Sequence, residues 1–222
     1  MDVRVRAVTA GTANSIERTA ANSVFWELPR NADNSEACCE DPAFDKQLWI
    51  QRVLMEWGIC GYTAFVHGSG DLTSPTAAAT TFFAPPSYLP GSAEMPSGSV
   101  SADAVLLSTV YVAPAFNGLY LEHQLIDTVL TETSRRGAKA VEAYGWVGAG
   151  EPTAPLMSGE ILLASGFHVV QQHPHIPRYR KENAGTRSVF ARFAEADHDA
   201  VNQARPLRTV LGGAKPRKVG VR

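Results

Sequence analysis

Glu142 and Tyr144 stand two residues apart in AVEAYGW, an apolar run that reads as a strand, so both side chains emerge on one face. A carboxylate beside a phenol can act as general base and general acid in a proton transfer. A hydrogen-bonded structural pair is the competing reading. Glu27 is a second candidate base, because Phe25 and Trp26 before it could line a pocket for an acceptor. An ordinary exposed carboxylate competes with that role. His173-Pro174-His175 has the spacing of a metal-ligand pair but no partners of matching type nearby. It reads as a loop before Tyr179, and no metal is expected.

The elements that must position these groups centre on residues 104–142. Val105 to Val112 is an apolar, β-branched run typical of a buried strand, and Pro114 stops it because proline has no N–H for the ladder. Asn117-Gly118 makes a tight turn. Leu121, Leu125, Ile126, Val129 and Leu130 then recur at helical spacing, and Arg135-Arg136-Gly137 supplies cations and a glycine stop for the last turn. Ala140 to Ala143 begins the second strand. This βαβ unit leaves a helix N-terminus at the turn, whose first N–H groups lack intrahelical partners and attract anions. A crossover that binds nothing fits the same pattern.

The segment VYVAPAFNG resembles the acyl-CoA-binding segment of the GNAT acyltransferase superfamily, V-x-P-x-[YF]-[RQ]-G, with Val112, Pro114, Phe116, Asn117 and Gly118 at matching positions. Leu162-x-x-x-Gly166-Phe167 resembles the family's Y-x-x-x-G-F. Trp26-Glu27-Leu28-Pro29 and Asp41-Pro42-x-x-Asp45-Lys46 resemble stretches of a bacterial subgroup. The resemblance implies a GNAT-like α/β fold: a mixed, mostly antiparallel twisted sheet with helices on both faces, running from about Val3 to Ala194. It implies acetyl transfer from acetyl-CoA to a primary amine by direct attack, on a small molecule or a protein. The backbone of Asn117, Gly118, Leu119, Tyr120, Leu121 and Glu122 would hold the pyrophosphate. The strand ending at Tyr111 and Val112 would meet the pantetheine arm and supply an oxyanion N–H, while Glu142 and Tyr144 would lie near the thioester sulfur.

Three positions depart from the family. Asn117 replaces Arg or Gln, Tyr120 stands where the second glycine belongs, and Glu122 where the last Gly or Ala belongs. A tyrosine could crowd the pyrophosphate, and a glutamate brings negative charge beside it. Leu162 also replaces the tyrosine that serves as general acid. These departures sustain a second reading, a GNAT-fold binding or regulatory module that has lost normal CoA binding and catalysis.

Composition sets outer bounds. The chain has 222 residues, 45% of them hydrophobic and 19% charged, with a net charge of −2, which fits a globular domain and gives no reason to expect nucleic acid or an anionic membrane as partner. No apolar run is long enough to span a bilayer. Cys38, Cys39 and Cys60, an odd number without an export signal, point to a reducing cytoplasm. A homodimer is compatible with this reading. Along the chain, a first strand over Val3–Val8 precedes a helix capped by Thr12 or Asn14 and a second helix from Phe44 to Trp57, with Phe44, Leu48, Trp49, Val53 and Leu54 on or near one face. Ile59–Val66 and Thr76–Ala84 pair as antiparallel strands. Pro85–Asp103 reads as a flap or an insertion, and Ser188–Ala194 as the last strand. Residues 1–195 form the acyltransferase domain, and 196–222 a basic, flexible tail.

Overall fold

In the computed structural model, which describes residues 2–29, 41–67, 75–150, 152 and 154–183, the central run forms strand β4 (Ala104–Val112), buried along nearly its whole length. It lies between β3 (Thr76–Ala84) and β5 (Ala140–Trp146) in an open sheet. The full order is β1 (Asp2–Ala7), β2 (Gly61–His67), β3, β4, β5, then β8 (Arg178–Glu182) and β7 (His168–Gln171), while the short β6 (Met157–Ser158) adds to β5. Pairing is antiparallel except for β4–β5 and β5–β6. This is the mixed, mostly antiparallel architecture expected.

Side-chain alternation on the central strands builds two cores. Val105, Leu107, Val141 and Ala143 meet Leu121, Leu125, Ile126 and Val129 of α3 (Leu121–Arg135) and Leu162 of α4 (Gly159–Ala164). On the opposite face, Leu106, Tyr111 and Tyr144 meet Ala20 of α1 (Arg18–Asn22) and Trp49, Ile50 and Val53 of α2 (Pro42–Glu56).

Several expectations change. The first helix is a 3₁₀ turn over Ala13–Ser15 followed by α1, capped by Glu17, whose carboxylate accepts from Ala20 N at 2.9 Å. Helix α2 starts at Pro42 behind an Asp41 cap. Its buried face is Lys46, Trp49, Ile50 and Val53, so Phe44 and Leu48 face outward. The charged Lys46 could not be read as a core residue because the group that pairs with it lies 19 residues away. Pro85–Asp103 packs onto the sheet: Leu89 and Met95 are buried, and Gly91 N donates to Trp26 O. Strand β8 adds to the expected strands: RYRKE carries four charges and no apolar alternation, yet it pairs with β5 through its backbone. The domain boundary expected at residue 195 lies outside the described residues. Cys38, Cys39, the Ser188–Ala194 strand and the tail lie outside the described residues.

Candidate functional site

The turn between β4 and α3 has an unusual backbone. Pro114–Phe116 forms one 3₁₀ turn, then Gly118 and Tyr120 adopt positive φ of 83° and 55°. Tyr120 is the sole non-glycine with positive φ among the described residues. It therefore holds the left-handed conformation for which a glycine would serve, at a cost of roughly 1–2 kcal/mol. Its ring is 72% exposed, and Leu121 carries the buried contact instead. A Cβ on Gly118 would meet nothing within 4 Å. No side chain caps α3, and its first backbone bond at this end is Gln124 N to Tyr120 O. The amides of Gly118, Tyr120, Leu121, Glu122 and His123 thus have no acceptor among the described residues. Asn117 is exposed, Leu119 and Glu122 half-buried.

Beside this turn the sheet opens. β4 and β5 pair only at Ala104–Ala140, Val105–Val141 and Leu106–Glu142, then separate. A bulge helps to turn β4: Ser108 Oγ donates to Phe82 O, and Thr81 Oγ1 to Thr109 O. Ala113 N bonds to Ala78 O on β3, so alternation aims the Val112 amide at the edge that β5 has left, and the Tyr111 amide at β3. The gap is partly filled. Gly145 N and Val147 N bond toward Pro177 and His175, so β6 occupies the other edge of β5, the one facing β4. Leu156 joins one core and Met157 the other, and Pro155 O accepts from Thr109 Oγ1. Residues 154–158 form a strap across the gap.

The three candidate acid–base residues have definite surroundings. Glu142 and Tyr144 share a face, as their spacing implied. The Glu142 carboxylate is buried, accepts from Arg180 Nη1 at 2.9 Å and Ser101 N at 3.1 Å, and lies 3.5 Å from Arg178 Nε. Tyr144 stacks on Trp26 and donates to Gly98 O at 2.7 Å; burial pushes its phenol up to about 12. Glu27 is not with them. It pairs with Lys46 Nζ at 2.5 Å, both side chains 1% exposed, and its Oε2 is buried without a partner. Burial lowers the Lys46 pKa and Glu27 partly offsets this, while burial also raises the nearby Cys60 thiol to about 12. Tyr111 contributes its hydroxyl to Ser23 Oγ at 2.9 Å.

Sequence reasoning missed Thr109, whose hydroxyl accepts from Trp26 Nε1 at 2.9 Å while donating to the strap. No local pattern marks it. Lys46 had a signal, the Asp41-Pro42-x-x-Asp45-Lys46 resemblance, but not its pairing with Glu27. Among the described residues no cluster of His, Cys, Asp and Glu could hold a metal, and no helix is long and apolar enough to cross a membrane.

No family model and no curated protein matches this chain. Solved structures do. PaiA N-acetyltransferase from Thermoplasma acidophilum, in complex with coenzyme A, aligns with a TM-score of 0.52 at 12% identity, covering 82% of this chain and 99% of the other. The chain has the GNAT acetyltransferase fold. Two further structures, each with a TM-score of 0.50 at 11% identity and covering 82% of this chain, are an N-acetyltransferase from Staphylococcus aureus and the ribosomal-protein-S5-alanine acetyltransferase from Vibrio fischeri, covered over 99% and 93% of their own lengths. In this GNAT-fold chain the left-handed residue just before α3 is a tyrosine.

Proposed function

We propose that this chain transfers an acetyl group from acetyl-CoA to a primary amine, on a small molecule or a protein. The observation that carries the reading is the row of unpartnered amides at Gly118 and Tyr120–His123, opening a 15-residue helix beside a parted pair of strands. An anion gains both the free N–H groups and the positive end of the helix dipole there. The outward Tyr120 ring and the empty space at Gly118 leave room for a pyrophosphate. Asn117, Leu119 and Leu121 shape that turn, and Glu122 weakens it electrostatically. Acetyl-CoA as co-substrate would bring the activated carbonyl. Val112 N, facing the gap, is the proposed donor to the oxyanion, because an N–H aimed at developing charge is worth most where water is excluded. Of the three acid–base candidates, Glu27 alone keeps a carboxylate oxygen without a partner, but that oxygen is sealed in the core beside Lys46, so water takes the proton of the attacking amine. Glu142 and Tyr144 are then structural.

One feature favours the binding-module reading: the strap bonds to Thr109 inside the gap that a pantetheine arm would use. Titration calorimetry with acetyl-CoA and free CoA separates the two. Micromolar binding, weakened by Gly118→Val, supports the enzyme. Absence of binding up to millimolar overturns it in favour of the module.

A further inference from the structure

A leaving thiolate needs a proton. Leu162 has none to give, and the Tyr144 hydroxyl is committed to Gly98 O. Another phenol lies on the opposite face of the sheet. Tyr179 of β8 packs with Val141, Ala143, Met157 and Leu162. Two glycines make room for it. A Cβ on Gly145 would fall 2.6 Å from Tyr179 Cε2 and 2.9 Å from Leu162 Cδ1, and one on Gly159 only 2.3 Å from the Tyr179 hydroxyl. The ring therefore crosses β5 beside Leu162, and its oxygen ends against the first residue of α4, immediately after the strap.

That oxygen has no hydrogen-bond partner among the described residues, yet it is not among the sealed, unsatisfied atoms of the core. Val147 and Gly159, which surround it, line a cavity of about 410 Å³ with Trp146, Leu156 and Ser158. A second cavity, of about 510 Å³, is bounded by Val147, Tyr179, His173 and Pro177. Glu160 and His173 are the other titratable groups on these walls. A phenol with an uncommitted O–H, held rigidly at the end of the parted strands, is a donor waiting for an acceptor.

We propose that Tyr179 Oη protonates the leaving sulfur of acetyl-CoA, a role that rests on the acetyl-transfer reading above. When the adduct of amine and thioester collapses, the C–S bond breaks and its electron pair goes to sulfur. The Tyr179 O–H bond breaks as the S–H bond forms. The phenolate recovers a proton from solvent through the cavity, and the amine nitrogen loses its extra proton to water. Burial raises the Tyr179 pKa and so keeps the phenol protonated between turnovers.

Tyr179→Phe tests this, since it removes an oxygen that bonds to nothing else among the described residues. Two measurements are made beside wild type: steady-state acetyl transfer, and the thiol pKa of bound CoA read from thiolate absorbance. The expected result is a kcat lower by about 100-fold with KM and CoA affinity within about twofold, and a bound thiol about one unit less acidic in the variant. Wild-type kcat in the variant with an unshifted thiol overturns the proposal while leaving acetyl transfer standing. A wild-type chain that does not bind acetyl-CoA overturns both.

Discussion

Removing the ammonium of Lys46 should damage this protein more than removing the whole ion pair. Lys46→Met keeps the aliphatic stem against Trp49 and Phe82, whose ring lies 4.4 Å from Nζ, but leaves Glu27 as a buried carboxylate with neither oxygen paired. Both side chains are 1% exposed, so water cannot screen the loss. Breaking such a pair from one side costs about 3–5 kcal/mol, whereas replacing both partners by apolar groups is close to neutral or stabilising. For a domain of this size that single loss lowers Tm by about 6–20 °C. The double variant Glu27→Leu/Lys46→Met should then recover to within about 1 kcal/mol of wild type, giving a coupling energy of roughly 3 kcal/mol or more. Urea unfolding of all four corners of the cycle, followed by tryptophan fluorescence, measures it. A Lys46→Met variant within about 1 kcal/mol of wild type, or corners that simply add, would refute the reasoning.

Glu142→Gln should cost roughly 3 kcal/mol in urea unfolding, because Arg178 and Arg180 lose their buried counter-charge; lost acetyl transfer at unchanged stability would instead make Glu142 a base. Gly118→Ala, forced to a φ of 83°, should lose about 1–2 kcal/mol and weaken CoA binding in calorimetry. Tyr120→Gly exchanges left-handed strain for glycine entropy, so stability should change by less than about 1 kcal/mol while CoA affinity holds or improves. The Cys60 thiol has its folded pKa raised to about 12 from 9.0. Its contribution is therefore intact below pH 9 and falls by about 1.4 kcal/mol per unit as pH rises toward 12. Thermal melts of Cys60→Ala across that window should show a shallower decline than wild type, and parallel curves would contradict this.

The βαβ unit was legible because each part is local: a β-branched run, a proline stop, a helical period and a glycine end. Asn117-Gly118 located the turn, but no local pattern showed that Tyr120 would also take a left-handed angle there. Illegible features depend on partners far along the chain. Lys46 belongs in the core only because Glu27 is there, Trp26 and Thr109 meet across 83 residues, and Arg180 draws Glu142 into an ion pair 38 residues away. That last contact converts a plausible base into a counter-ion. Pro85–Asp103 misled through composition: proline and glycine suggested a flap, yet they build 3₁₀ turns that tuck Leu89 and Met95 under the sheet.

The strap has a consequence for how this chain keeps to itself. Where β4 and β5 part, each would present a bare row of N–H and C=O groups, and such rows template pairing with a second chain. Met157 and Ser158 cover the β5 row. Pro155, next to them, offers no N–H and so cannot pass the pairing outward. The strap is thus a guard against polymerisation as well as an occupant of the gap. Replacing 154–158 with a flexible linker would open the gap between β4 and β5 and expose a seed for cross-chain ribbons in the same stroke.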